Sequence, residues 1–174
     1  NDRLPYATYV PLYPREKIGA SLAVSQAEPV SGGYKFHFTA KFKNYGNVNL
    51  DSINVIYNIE NTYPDPDFAS FIGYPTFTRG NLIYNVLEYN GDNNDTLVKF
   101  NGNLAVGDSA IMEYDLFVAT TRTSYTWLNN MTVFARSLNS GIIISDSSMT
   151  GTDPDPSGNN DPQEASYTRA YINY

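Results

Sequence analysis

Between Tyr34 and Lys43, the residues Tyr34, Phe36, Phe38, Ala40 and Phe42 alternate without a break with Lys35, His37, Thr39, Lys41 and Lys43. A period of two sustained over ten residues puts successive side chains on opposite faces, which is the pattern of a strand with one face buried. The run ends in Asn44-Tyr45-Gly46-Asn47, residue types that tolerate turns. Ile53, Val55, Tyr57 and Ile59 then point one way, with Asn54 and Asn58 pointing the other, over residues 52–60. These two segments read as neighbouring antiparallel strands. Similar short runs over 82–89, 96–101, 110–119, 131–137 and 141–145 are separated by turn clusters such as Asn90-Gly91-Asp92 and Val106-Gly107-Asp108-Ser109. No stretch keeps a period of 3.6. Many short strands at regular spacing predict an all-β chain folded as an antiparallel β-sandwich, with Phe36, Phe38, Phe42, Val55 and Tyr57 in its core.

The 174 residues suit one core rather than two. With 20 Asn, 14 Thr, 14 Ser and 15 Tyr against 5 Lys and 6 Glu, exposed helix faces lack their usual material, whereas pleated surfaces and turns have theirs. A net charge of -7 excludes the basic patch that nucleic acid demands and disfavours acidic membrane surfaces. The absence of cysteine excludes disulfides, thiolate metal sites and a cysteine nucleophile. No apolar run approaches 18 residues and no charged-then-apolar leader opens the chain, so the expectation is a mature or excised soluble piece without membrane insertion.

Three regions follow from composition. Residues 1–16 contain Pro5, Pro11 and Pro14 and suit a linker or an edge strand, residues 17–150 form the sandwich, and residues 151–174 form an acidic loop and the start of a next linker. Asn160-Asp161 followed by Tyr167 and Tyr171 echoes Asn1-Asp2 followed by Tyr6, Tyr9 and Tyr13, which suggests a repeat with a period near 159 residues.

The acidic loop holds the one metal-type spacing. Asp153, Asp155, Ser157, Asn159, Asp161 and Glu164 occupy positions 1, 3, 5, 7, 9 and 12 of a calcium-loop template, with Gly158 at position 6. They are the expected ligands of a calcium ion at a repeat junction, although three prolines and the lack of flanking helices depart from a helical calcium hand. Trp127, with Tyr125 and Tyr84, offers a stacking platform for a sugar, or alternatively a plug for one end of the sandwich. No catalytic set can be assembled. His37 is the only histidine and falls on the polar face, no Gly-x-Ser-x-Gly nucleophile is present, and the carboxylates sit mainly in turns. Lys41 and Lys43, candidates for a crosslink to asparagine, also fall on the polar face.

Three blocks together resemble a known family. Phe38 to Leu50 is similar to a strand ending in Asn-x-Gly-Asn-Val-x-Leu. Leu104-Ala105-Val106-Gly107-Asp108-Ser109 is similar to the turn that precedes a long strand, and Asn130 to Pro156 resembles closing strands with an Asp-Pro-Asp-Pro tail. The family is the bacterial surface-protein repeat called domain of unknown function eleven, as found in Bacteroidetes adhesins. The resemblance implies an immunoglobulin-like or prealbumin-like sandwich of about 7 to 9 strands, repeated in tandem in a secreted, extracellular cell-surface protein used in adhesion or gliding motility. The implied partners are neighbouring repeats of the same chain and cell-surface glycans or substratum. It implies no catalytic residues, so the expectation is a protein that is not an enzyme.

Overall fold

The computed structural model describes residues 13–173. The expected linker or edge strand over residues 1–16, and the first half of the internal echo, lie largely outside them. Twelve strands and one short helix follow in order: β1 (Ile18–Val24), β2 (Glu28–Val30), β3 (Gly33–Asn44), β4 (Leu50–Ile56), α1 (Ile59–Thr62), β5 (Phe68–Arg79), β6 (Thr96–Leu104), β7 (Ser109–Ala119), β8 (Ser124–Asn129), β9 (Thr132–Ser137), β10 (Ile143–Ser147), β11 (Met149–Thr150) and β12 (Thr168–Asn173). The expected all-β sandwich is present, with more strands than the seven to nine anticipated. One six-stranded sheet runs β11-β1-β3-β7-β5 with β2 also on β3, a second runs β10-β9-β4-β6, and β12 pairs with β8. All pairs are antiparallel except β1 with β11.

The strand read from the strict alternation is the spine of the large sheet. β3 pairs with β7 from Gly33↔Ala119 to Lys43↔Ser109, which sets Phe36 opposite Leu116 and Phe38 opposite Tyr114. Phe36, Phe38, Phe42, Val55 and Tyr57 are all buried, and the Phe38 and Tyr114 rings stack with centroids 5.1 Å apart. Each such side chain contributes about 1.5–3 kcal/mol through burial.

Two expectations about connectivity are corrected. β3 and β4 are not neighbours in one sheet, since the Asn44–Asn47 turn carries the chain from the large sheet to the small one. Asn44 is wholly buried there. Its Nδ2 donates to the Val48 and Leu104 carbonyls at 2.8 and 3.1 Å, and its Oδ1 accepts from the Gly46 N–H at 2.9 Å. Gly46 is required by proximity, because a Cβ would stand 2.2 Å from the Arg15 carbonyl oxygen. The strand expected over 82–89 is a loop held by a single bridge from Tyr84 to Val98. Conversely β5 carries Gly73 and Pro75, which argue against a strand, and it accommodates them at the sheet edge through a register shift between Ile72 and Thr76.

The C-terminal region departs furthest from expectation. Thr168, Ala170 and Ile172 of β12 are buried while Arg169, Tyr171 and Asn173 face out, so this stretch is a strand of the same unit and not the start of a linker.

Candidate functional site

Trp127 lies on the inward face of β8 and is 1% exposed. Its ring meets Phe36 at 6.0 Å, Tyr63 at 5.6 Å and Tyr125 at 5.2 Å, and its Nε1–H donates to Asp67 Oδ2 at 3.2 Å. The carboxylate of Asp67, itself buried, also accepts from Thr120 Oγ1 at 2.6 Å and Arg122 Nε at 3.0 Å. Arg122 in turn covers the Tyr125 ring at 4.4 Å. Behind them Asn129 accepts from the Tyr57 and Tyr63 hydroxyls at 2.6 and 3.0 Å. The Trp127, Tyr125 and Tyr84 platform is therefore corrected. Trp127 is part of the buried core, Tyr125 lies partly exposed beside it, and Tyr84 belongs to a different aromatic cluster with Phe71, Tyr74 and Tyr89. A buried indole with a committed N–H has no face to offer a sugar.

That second cluster walls a cavity of about 660 Å³ between α1, the start of β5 and the 84–91 loop. Asn58 caps α1 by accepting from the Asn61 N–H at 2.8 Å, and the Glu60 N–H donates to the Gly91 carbonyl at 3.0 Å, tying helix to loop. Gly91 has a φ of +80°, and a Cβ there would press on Ile59. Phe71 meets Tyr84 edge-on at 6.1 Å and Tyr89 at 5.6 Å, while the Tyr89 hydroxyl is fixed by donation to the Tyr57 carbonyl at 2.7 Å. Burial pushes the Tyr84 and Tyr89 phenols up, so both remain neutral donors at ordinary pH. Glu60, Asp65 and Asp67 also line the cavity. The charge of Asp92, and a hydrogen bond to it, push the Glu60 carboxyl above its usual range. The sequence carried each of these residues without showing that two loops 25 residues apart converge.

The six residues with calcium-loop spacing do not converge. Among the described residues no three carboxylates or histidines gather at metal distance. Asp155 is buried and turned onto its own loop, accepting from Ser157 Oγ at 3.1 Å and the Asn160 N–H at 2.8 Å. Asn159 accepts from the Asp161 N–H through its side chain, Asp161 pairs with Lys17 at 2.7 Å, Asp153 accepts from the Tyr45 hydroxyl at 3.2 Å, and Glu164 is exposed. The donor set is spent on turn closure and on protein contacts, which leaves no cage for six to eight oxygens around one ion. The loop is nonetheless docked, contrary to its reading as a segment apart from the core. Arg15 donates to the Asn160 carbonyl, and Pro162 lies against Gly19, where a Cβ would come within 2.5 Å of the proline.

Beside this docked loop Asp146 is buried, and burial pushes its carboxyl up to about 6 in spite of the Ala20 N–H that donates to it at 2.7 Å, with the charge of Asp161 adding to the rise. A carboxyl that holds its proton more tightly in the folded state than in the unfolded one favours the fold at low pH and opposes it as pH rises through the folded value. Asp146→Asn should therefore stabilise the protein at about pH 7 and lose that advantage by about pH 4, where the native carboxyl is itself protonated when folded. Denaturant unfolding of parent and variant at the two pH values checks this. A difference that stays constant across the window would show that Asp146 does not titrate there.

His37 stands on the outer face of β3 opposite Asp115, with Nδ1 and Oδ1 2.8 Å apart, and both side chains are well exposed. Lys43 covers the Tyr45 ring at 4.4 Å.

No protein-family model matches the chain, and no curated protein matches it as a relative. Solved structures do resemble it. The major pilin subunit BcpA of Bacillus cereus aligns over 77% of this chain and 38% of its own, with a TM-score of 0.49 and 11% identity. The full-length major pilin SpaD of Corynebacterium diphtheriae aligns over 76% of this chain and 33% of its own, with a TM-score of 0.48 and 10% identity. An exo-β-N-acetylglucosaminidase of Vibrio harveyi aligns over 77% of this chain and 18% of its own, with a TM-score of 0.40 and 13% identity. The chain thus spans little more than a third of the pilins it matches.

Proposed function

We propose that this chain is a structural, non-catalytic β-sandwich module of a bacterial extracellular surface protein, joined in series to neighbouring units and serving adhesion. The observation that supports it most is the docked acidic loop. A segment rich in Pro, Gly, Asp and Asn ordinarily behaves as a loose connector, yet here Arg15, Lys17 and Gly19 at the start of the described chain, and Tyr45 in the turn after β3, hold Asn160, Asp161, Pro162 and Asp153 ahead of β12. A segment fixed in this way leaves the unit no internal hinge ahead of β12, as a rigid member of a series requires. The surface, polar but sparing in charge, agrees with exposure outside the cell. Among the described residues no helix is long and apolar enough to cross a membrane.

The reading is tested in the source organism. Antibodies raised against the purified domain should label intact, unpermeabilised cells, and brief protease treatment of whole cells should remove the label. Labelling that requires lysis would overturn the proposal.

A further inference from the structure

We propose that the cavity between α1, β5 and the 84–91 loop is a binding site for an organic ammonium group, as carried by a small free amine or by a lysine side chain. This goes beyond the scaffold role and does not depend on it.

The walls and the charges point to the same ligand. Phe71, Tyr84 and Tyr89 line the space and are braced against one another. Aromatic rings attract cations through their quadrupole, and they shelter the methylene chain that an organic ammonium brings with it. The carboxylates are Glu60 and Asp65 in the lining, with Asp92 beside Glu60. No basic side chain is among the lining residues, and the ion pairs among the described residues reach Asp67 through Arg122 but neither Glu60, Asp65 nor Asp92. Three carboxylates held near one another without a counter-charge repel, which is the physical meaning of the raised Glu60 carboxyl, and an entering cation removes that repulsion. The volume of about 660 Å³ falls within the range of small-molecule sites.

Competing ligands use half of these features each. A calcium ion would engage the carboxylates but not the rings, and a neutral sugar would stack on the rings but leave the carboxylates uncompensated. An organic ammonium satisfies both.

The test follows the aromatic ring resonances of the whole domain by NMR at fixed ionic strength, titrating n-butylammonium chloride and Nα-acetyl-lysine methylamide, with n-butanol and N-acetylglucosamine as neutral probes. The expected result is a saturable shift of the Phe71, Tyr84 and Tyr89 signals with the ammonium probes and none with the neutral ones. Tyr84→Ala should weaken binding about two- to fivefold, the effect of one exposed cation-aromatic contact. Glu60→Gln combined with Asp65→Asn should weaken it about tenfold through the loss of two attractive charges. Both carboxylates are exposed, so the double variant keeps the fold and the test stands even where Tyr84→Ala disturbs packing. Tighter binding of the lysine derivative assigns a polypeptide lysine as the ligand, and equal or tighter binding of butylammonium assigns a free amine. The proposal is overturned by the absence of a saturable shift, by shifts of equal size with n-butanol, by binding of the sugar alone, or by undiminished binding to the double variant.

Discussion

Trp127→Ala should lower stability by about 3–5 kcal/mol, the cost of emptying a well-packed aromatic site. At about 2–4 °C per kcal/mol for a chain of this length, the melting temperature should fall by roughly 6–20 °C. Trp127 is 1% exposed and packs against Phe36, Tyr63 and Tyr125 from three directions, so the cavity cannot collapse by moving one neighbour. Thermal unfolding followed by far-UV circular dichroism measures this directly. A loss under about 1 kcal/mol, as expected of a surface ring, would mean that Trp127 is exposed in solution and would reopen its reading as a sugar platform.

Asp67→Ala should cost about 2–3 kcal/mol. Removing one member of a buried, hydrogen-bonded ion pair leaves its partners unsatisfied, and here three donors lose their acceptor at once: Thr120 Oγ1, Arg122 Nε and Trp127 Nε1. Arg122 is 37% exposed and turns to water, which keeps the effect below that of a fully enclosed pair. Asp115→Ala provides the contrast, because its partner His37 lies on the open face and such pairs contribute about 1 kcal/mol at most. Chemical denaturation of both variants resolves the difference. Equal small losses would show that Asp67 is not the anchor described. Since Asp67 and Trp127 share a hydrogen bond, the double variant should lose less than the sum of the two singles.

These two residues also mark where sequence reading stopped. β3 and β7 are legible because a period of two over ten residues has one structural meaning, and the inward Phe36, Phe38 and Phe42 of β3 follow from it. β5 was illegible because Gly73 and Pro75 are breakers in general, and only an edge position with a bulge neutralises them. β12 was legible in principle, since Thr168, Ala170 and Ile172 alternate with Arg169, Tyr171 and Asn173, but proximity to an acidic, proline-rich stretch concealed it. The Asn44–Asn47 residue types announce a turn but not its destination, because turn residues fix a reversal and not the sheet to which the chain returns. The site was hidden for a related reason. Asp67 reads as one more turn carboxylate beside a proline, and nothing local reveals that Arg122 and Trp127, more than fifty residues later, arrive to donate to it. The calcium spacing was the converse case, a local pattern whose side chains closed their own turns instead of facing one point.

The parallel pairing of β1 with β11 bears on how the chain reaches this state. Ser21 and Leu22 meet Met149 and Thr150, the Ala20 N–H waits for Asp146, and the Leu22 carbonyl receives the Thr168 hydroxyl. The earliest described strand therefore keeps one border unsatisfied until nearly everything else has emerged. Closing loops of well over a hundred residues is slow, and a bare strand border in the interval invites other chains. In a chain that emerges from its N-terminus this border is therefore among the last to close, when residues 146–168 become available.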